Sequence, residues 1–159
     1  MKVFLDTNIV IDFYDQRGDF YYPAAVIFDL AHKRKIQLYV SAITFVNAFF
    51  ILRKSYSREE LYQSMLGLAS LCEITDVDKE IIKKCLSFER KDFEDSVQYE
   101  SALLHQVDVI VTRNVKDFRD FAENVQTPAD FLESILVYNG SLKFEITAKR
   151  LYAASQRVL

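Results

Sequence analysis

Short apolar runs alternate along this chain with longer stretches in which apolar residues recur every three to four positions. That is the pattern of parallel strands covered by amphipathic helices. Five runs read as strands: Lys2 to Leu5, Gln37 to Ser41, Cys72 to Thr75, Asp108 to Thr112 and the shorter Asn124 to Gln126. Helical spacing covers residues 8–15, 22–34, 44–55, 79–89 and 95–106. Two further helices announce themselves by their first turns. Ser57-Arg58-Glu59-Glu60 is a capping box ahead of LYQSMLGLASL, and Thr127-Pro128-Ala129-Asp130 joins a capping hydroxyl to proline at the first helical position. The order predicts an α/β fold with a central, mostly parallel sheet.

A length of 159 residues with 50% hydrophobic and 27% charged side chains fits one globular domain. Three glycines and two prolines leave little material for linkers, so the domain is expected to run from residue 1 to about 137. Beyond it, the tail 138–159 carries Phe144, Ile146 and Leu151, which fit a strand, a helix or a docking segment. Four of its five charged residues are basic: Lys143, Lys149, Arg150 and Arg157, against Glu145. A net charge of −3 makes any polyanion site a local one. Cys72 and Cys85 match neither a zinc spacing nor a secreted disulfide framework, which predicts buried, reduced thiols. No basic, apolar leader opens the sequence, and no apolar run approaches the ~18 residues that cross a bilayer. A cytoplasmic protein is expected.

In an open parallel sheet a ligand sits beyond the carboxyl ends of the strands, so the residues that follow each apolar run carry the most information. The first run delivers Asp6-Thr7-Asn8, set between VFL and IVI. The second gives VSAIT, with Ser41 and Thr44, and the fourth gives VIVTRNVKDF, with Thr112, Arg113, Asn114 and Asp117. A further segment, RKDFEDSVQYESALL, opens a helix with Asp92, Glu94 and Asp95. Taken alone, Asp6 fits a plain helix cap, and acids in a first turn are favoured by the helix dipole. Together, carboxylates drawn to one crevice repel each other and lose hydration, a cost tolerated when a cation sits among them. Oxygen donors without histidine or cysteine point to a hard ion, Mg2+ or Mn2+. His32 and His105 sit where helix C-termini favour positive charge.

FLDTNIVID, DFEDSVQYESALLHQVDVIVTRNVKDF and TPADFL, in this order and spacing over residues 1 to about 137, resemble the PIN domain, in particular the toxin subunits of VapC-type toxin–antitoxin pairs. The resemblance implies a three-layer α/β/α fold and an Mg2+- or Mn2+-dependent ribonuclease with about four acidic residues. It places Asp6 as the first acid and Asp95 as the acid at the start of the later helix. Where the family pattern has its second acid this chain has Asn47, and where it has its fourth this chain has Asn114, with Asp117 three residues on as a substitute. An amide carbonyl coordinates a hard cation but brings no charge and cannot act as a base.

On this reading Asp6, Asp95 and Asp117 are metal ligands, and Asn47 and Asn114 complete the catalytic set. Thr7, Ser41 and Thr112 donate hydrogen bonds around it and, with Arg113 and Lys116, face the substrate; Arg53 and Lys54 add cations for the RNA phosphates. The resemblance also implies a cognate antitoxin and a homodimer, with Tyr14, Tyr21 and Tyr22 as an exposed apolar patch for a partner. The alternative is a PIN-fold module, catalytically weakened or inactive, that binds RNA or a protein. A haloacid-dehalogenase-type phosphatase is disfavoured because Asn8 stands where its second Asp belongs, and a receiver domain because its acid pair and late lysine are missing.

Overall fold

A computed structural model of the chain describes residues 1–118 and 120–138, so beyond Tyr138 the expected tail lies outside the described residues. Five strands, β1 (Lys2–Leu5), β2 (Gln37–Ser41), β3 (Cys72–Thr75), β4 (Val109–Val111) and β5 (Val125–Gln126), form one sheet in the order β3-β2-β1-β4-β5. Every pairing is parallel. Around it lie α1 (Thr7–Tyr14), α2 (Gly18–His32), α3 (Ala42–Leu52), α4 (Arg58–Leu71), α5 (Lys79–Phe88), α6 (Phe93–Leu104), α7 (Val115–Phe118) and α8 (Pro128–Tyr138).

The central strand shows why the layers form. Successive side chains of a strand point to opposite faces. Val3 and Leu5 therefore enter one core with Leu38, Val40 and Val111 and with residues of α1 to α4 and α8, while Phe4 enters a second with Tyr39, Ile110, Ala102 of α6 and Phe118 of α7. The side chains of Val3, Phe4 and Leu5 are fully buried, and each contributes roughly 1.5–3 kcal/mol by leaving water. The result is the expected three-layer α/β/α arrangement. Lys84 and Arg90 tie α5 and the turn after it to α6 by pairing with the buried Glu100 at 2.6 and 3.1 Å.

Register then positions the chemistry. Leu5 pairs with Val111, and the Asp6 amide donates to the Val111 carbonyl at 3.0 Å. The residues that follow the two strands, Asp6 and Thr112, are thereby neighbours at one edge.

Several element limits differ from the sequence expectation. α2 begins at Gly18 rather than 22 and carries Pro23 inside it. Tertiary packing holds that first stretch: Phe13 of α1 stacks on Phe28 and Tyr21. α6 begins at Phe93 because Asp92 caps it, accepting from the Asp95 amide at 3.1 Å. α7 is a single turn, too short to show a period. The tyrosine patch is corrected as well. Tyr14 is half-buried, packs on the core and donates its hydroxyl to the Ser64 carbonyl at 2.8 Å, and Tyr21 and Tyr22 are partly covered. Exposed apolar side chains lie instead on α3 and α4 (Val46, Phe50, Ile51, Tyr62 and Leu66) and, in equal number, on α5 and α6 (Leu86, Phe88, Phe93, Leu103 and Leu104).

Candidate active site

Asp6 occupies the N-cap position of α1, yet its side chain makes no capping hydrogen bond. The carboxylate turns to the strand ends instead. Oδ1 accepts from Gln98 Nε2 at 3.0 Å, and Oδ2 accepts from Thr112 Oγ1 at 2.6 Å and from the Asn8 amide. Gln98 is fully buried, and its Oε1 accepts from the Thr7 backbone N–H at 3.2 Å. One amide thus fixes both Asp6 and the first turn of α1. Replacing it by leucine strands a buried donor and removes a bond from a buried carboxylate, so Gln98→Leu is expected to cost about 1–3 kcal/mol or more. Urea denaturation reads this as a lower midpoint at unchanged slope; a midpoint equal to wild type would contradict the role.

The first turn of α6 supplies the other acids. Asp92 is spent on capping, which leaves Glu94 and Asp95 for the crevice. Glu94 Oε1 accepts from Thr7 Oγ1 at 3.0 Å and from Asn47 Nδ2 at 2.6 Å, and Thr7 Oγ1 also lies 3.2 Å from Thr44 Oγ1. Asp95 is only 8% exposed, and its carboxylate receives no hydrogen bond from any described residue.

Burial, reinforced by the negative charges of Asp6, Asp92, Asp117 and Glu94, pushes the Asp95 carboxyl up to about 8. Burial also raises Asp6, against the lowering effect of its hydrogen bonds from Thr112 and Gln98. Between the ordinary carboxylate value near 3.8 and about 8, folded Asp95 holds a proton that the unfolded chain has released. Its contribution to stability is therefore complete below pH 4 and lost as pH rises through 8. Thermal midpoints of chelator-treated protein are expected to fall between pH 5 and 8.5. A rising series would contradict the raised carboxyl.

The remaining expected residues fall in different places. Asp117, half-buried in α7, lies close enough for its charge to act on Asp95. Asn114 is exposed, and its backbone N–H donates to Thr112 Oγ1 at 2.9 Å. Ser41 is buried and caps α3, accepting from the Ile43 amide at 3.4 Å. Lys116, Arg53 and Lys54 are exposed, Arg53 lying over the Phe50 ring at 3.9 Å. Arg113 turns away from the acids: its Nε is 3.2 Å from Oδ2 of the buried Asp12, and its guanidinium lies over the Phe20 ring at 4.5 Å. Three residues that the sequence names at the strand ends without assigning a role, Asn8, Thr44 and Glu94, join the crevice, and so does Gln98. The signal for Gln98 is its place in DFEDSVQ, one helical turn after Asp95; for Glu94 it is the run of acids itself.

A family model of the PIN domain matches residues 2–116. This chain belongs to the PIN domain family. Among solved structures, it is similar to VapBC2 from Rickettsia felis bound to a promoter DNA fragment, with a TM-score of 0.60 and 19% identity over 80% of this chain and 98% of that one. A toxin–antitoxin complex from Klebsiella pneumoniae gives a TM-score of 0.59 and 24% identity over 79% and 97%. VapBC-1 from nontypeable Haemophilus influenzae gives 0.58 and 21% over 81% and 99%. These likenesses establish the fold. No curated protein matches.

The oxygen-only donors of this PIN domain suit a hard divalent cation rather than zinc. Asp95 lies among these acids, and its carboxylate receives no hydrogen bond from a described residue. Among the described residues no three acidic, histidine or cysteine side chains form a ready-made chelating set. Nor is any helix among them long and apolar enough to cross a membrane.

Proposed function

We propose that the protein is an Mg2+- or Mn2+-dependent endoribonuclease that hydrolyses RNA phosphodiester bonds, the cytoplasmic toxin of a toxin–antitoxin pair. The observation that carries this reading is the meeting of two buried carboxylates, Asp6 and Asp95, neither of which caps a helix. Asp6 and Asp95 would hold the ion, with Asp117 beside them. Bound there, it supplies positive charge against the phosphoryl oxygens and a more acidic water. Gln98, Thr112 and Asn8 keep the Asp6 oxygens in place, so the carboxylate does not reorganise as charge develops. The amides of Asn47 and Asn114 orient water or substrate by hydrogen bonding, since neither takes a proton. Exposed Lys116, Arg53 and Lys54 draw in RNA phosphates that the acidic crevice would otherwise repel.

The toxin assignment draws support from the PIN family match and from neighbours that are solved as toxin–antitoxin complexes. The exposed apolar side chains of α3 and α4 offer surface for an antitoxin or a second copy of the chain. Purified protein is expected to cut RNA with Mg2+ or Mn2+, to stop in EDTA and to resume when the ion is returned in excess. Cutting that survives full chelation would contradict the proposal. A chain that binds RNA but never cuts it would favour the alternative of a binding module with the PIN shape.

A further inference from the structure

The buried Glu100 of α6 is paired by two cations that differ in what else they touch. Lys84 of α5 is half-exposed; it reaches Oε2 at 2.6 Å and otherwise passes over the Phe88 ring at 5.8 Å. Arg90, in the turn between α5 and α6, is mostly covered. Its Nη1 donates to Glu100 Oε1 at 3.1 Å and to Oγ of the fully buried Ser96 at 3.2 Å, while its guanidinium lies over the rings of Phe121 at 4.1 Å and Phe88 at 4.4 Å. A guanidinium bonds along its edge while its face packs on rings, a combination that an ammonium group lacks. Neutralising Glu100 does not need all of this.

Both ends of the Arg90 contact lead toward the crevice. Ser96 directly follows Asp95 near the start of α6. Phe121 closes the turn after α7: its amide donates to the Phe118 carbonyl at 3.1 Å, and its ring centre lies 5.7 Å from that of Phe118 and 5.0 Å from that of Tyr99 on α6. α7 carries Asp117 and, as a single turn, cannot hold its own place without such packing. We infer that Arg90 is a positioning residue of the proposed nuclease, which holds the start of α6, with Asp95, against α7, with Asp117. The role rests on the nuclease reading and belongs to a residue that touches neither ion nor RNA. It matters because a functional constellation must stay within about 0.5 Å of its productive geometry.

Arg90→Met and Lys84→Met in the full chain separate positioning from neutralisation, since each removes one cation from the same Glu100. Amide hydrogen exchange of the metal-free protein and titration calorimetry with MnCl2 are read well below the thermal midpoints. Arg90→Met is expected to speed exchange in the first turn of α6 and in α7 together, and to weaken Mn2+ binding about tenfold. Lys84→Met is expected to speed exchange in α5 alone and to bind Mn2+ as wild type does. Arg90→Lys keeps the charge but not the fork, so it is expected to share the losses of Arg90→Met at a thermal midpoint close to wild type, and it decides the case if the Met variant does not fold. Exchange in α7 or Mn2+ affinity equal to wild type in the Arg90 variants would overturn the inference, as would the same losses in Lys84→Met. A wild-type chain that binds no Mn2+ would overturn the nuclease reading instead, while exchange in the metal-free variants still decides whether Arg90 holds the two segments together.

Discussion

Asp95→Asn is expected to lower RNA cleavage by at least about a hundredfold while leaving the metal-free protein as stable as wild type or more so. The two effects share one cause. The Asp95 carboxyl is buried among Asp6, Asp92, Asp117 and Glu94 and receives no hydrogen bond from a described residue, so without a cation its charge opposes the fold. An amide of the same shape removes that charge and, with it, a group that would hold the ion. At pH 8 the variant is expected to gain roughly 1–3 kcal/mol over wild type in EDTA, a rise of about 3 °C or more in thermal midpoint. Adding Mg2+ should stabilise wild type and leave the variant unmoved. Scanning calorimetry with and without the ion checks both arms; a variant less stable than wild type in EDTA at pH 8 would show that the carboxylate is satisfied by something other than a cation.

Arg113→Met is expected to act on stability first. The Asp12 carboxylate is fully enclosed, neither of its oxygens nor Arg113 Nε makes a hydrogen bond, and the Arg113 guanidinium 3.2 Å away is the nearest compensating charge. Burial raises the Asp12 carboxyl while Arg113, and then Arg17, lower it. Removing the guanidinium leaves that carboxylate uncompensated, at a cost of about 3–5 kcal/mol near neutral pH, a fall of roughly 6–20 °C in midpoint. The deficit should shrink at low pH, where Asp12 takes up a proton, and should largely vanish when Asp12→Leu is combined with it. The pair ties α1 to the loop after β4 that carries Asn114 and leads to Asp117, so its loss also loosens the site. A variant with wild-type stability and a raised KM for RNA would instead return Arg113 to the role of a phosphate contact.

The contrast between these residues marks what a sequence carries. β1 was legible because the apolar run Val3 to Leu5, stopped by an acid, fits little besides a buried strand ending at a polar edge, and β2 and β3 follow the expectation residue for residue. α2 was not fully legible, because Gly18, with its positive φ of 45°, and Pro23 weaken the local helix signal that packing of Phe13 on Phe28 overrides. At the site, residue types identified Asp6 and Asp95 but could not separate a cap from a ligand, since Asp6 occupies the N-cap position in either case. What separates them is long-range: the pairing of Leu5 with Val111 sets Thr112 against Asp6, and the docking of α6 brings in Gln98. Asn47 with Glu94 and Arg113 with Asp12 were invisible for the same reason, each pair joining segments that only the fold brings together. A basic residue after a strand looks alike whether it awaits a phosphate or neutralises a buried acid.

The proposed chemistry depends on one divalent ion shared by the acid that follows β1 and the acid of α6. A crystal soaked in MnCl2 and measured for anomalous scattering tests that sharing most directly. One manganese peak is expected within about 2.5 Å of carboxylate oxygens from both Asp6 and Asp95. Saturating Mn2+ with no peak there, or a peak that touches only one of the two, would contradict it.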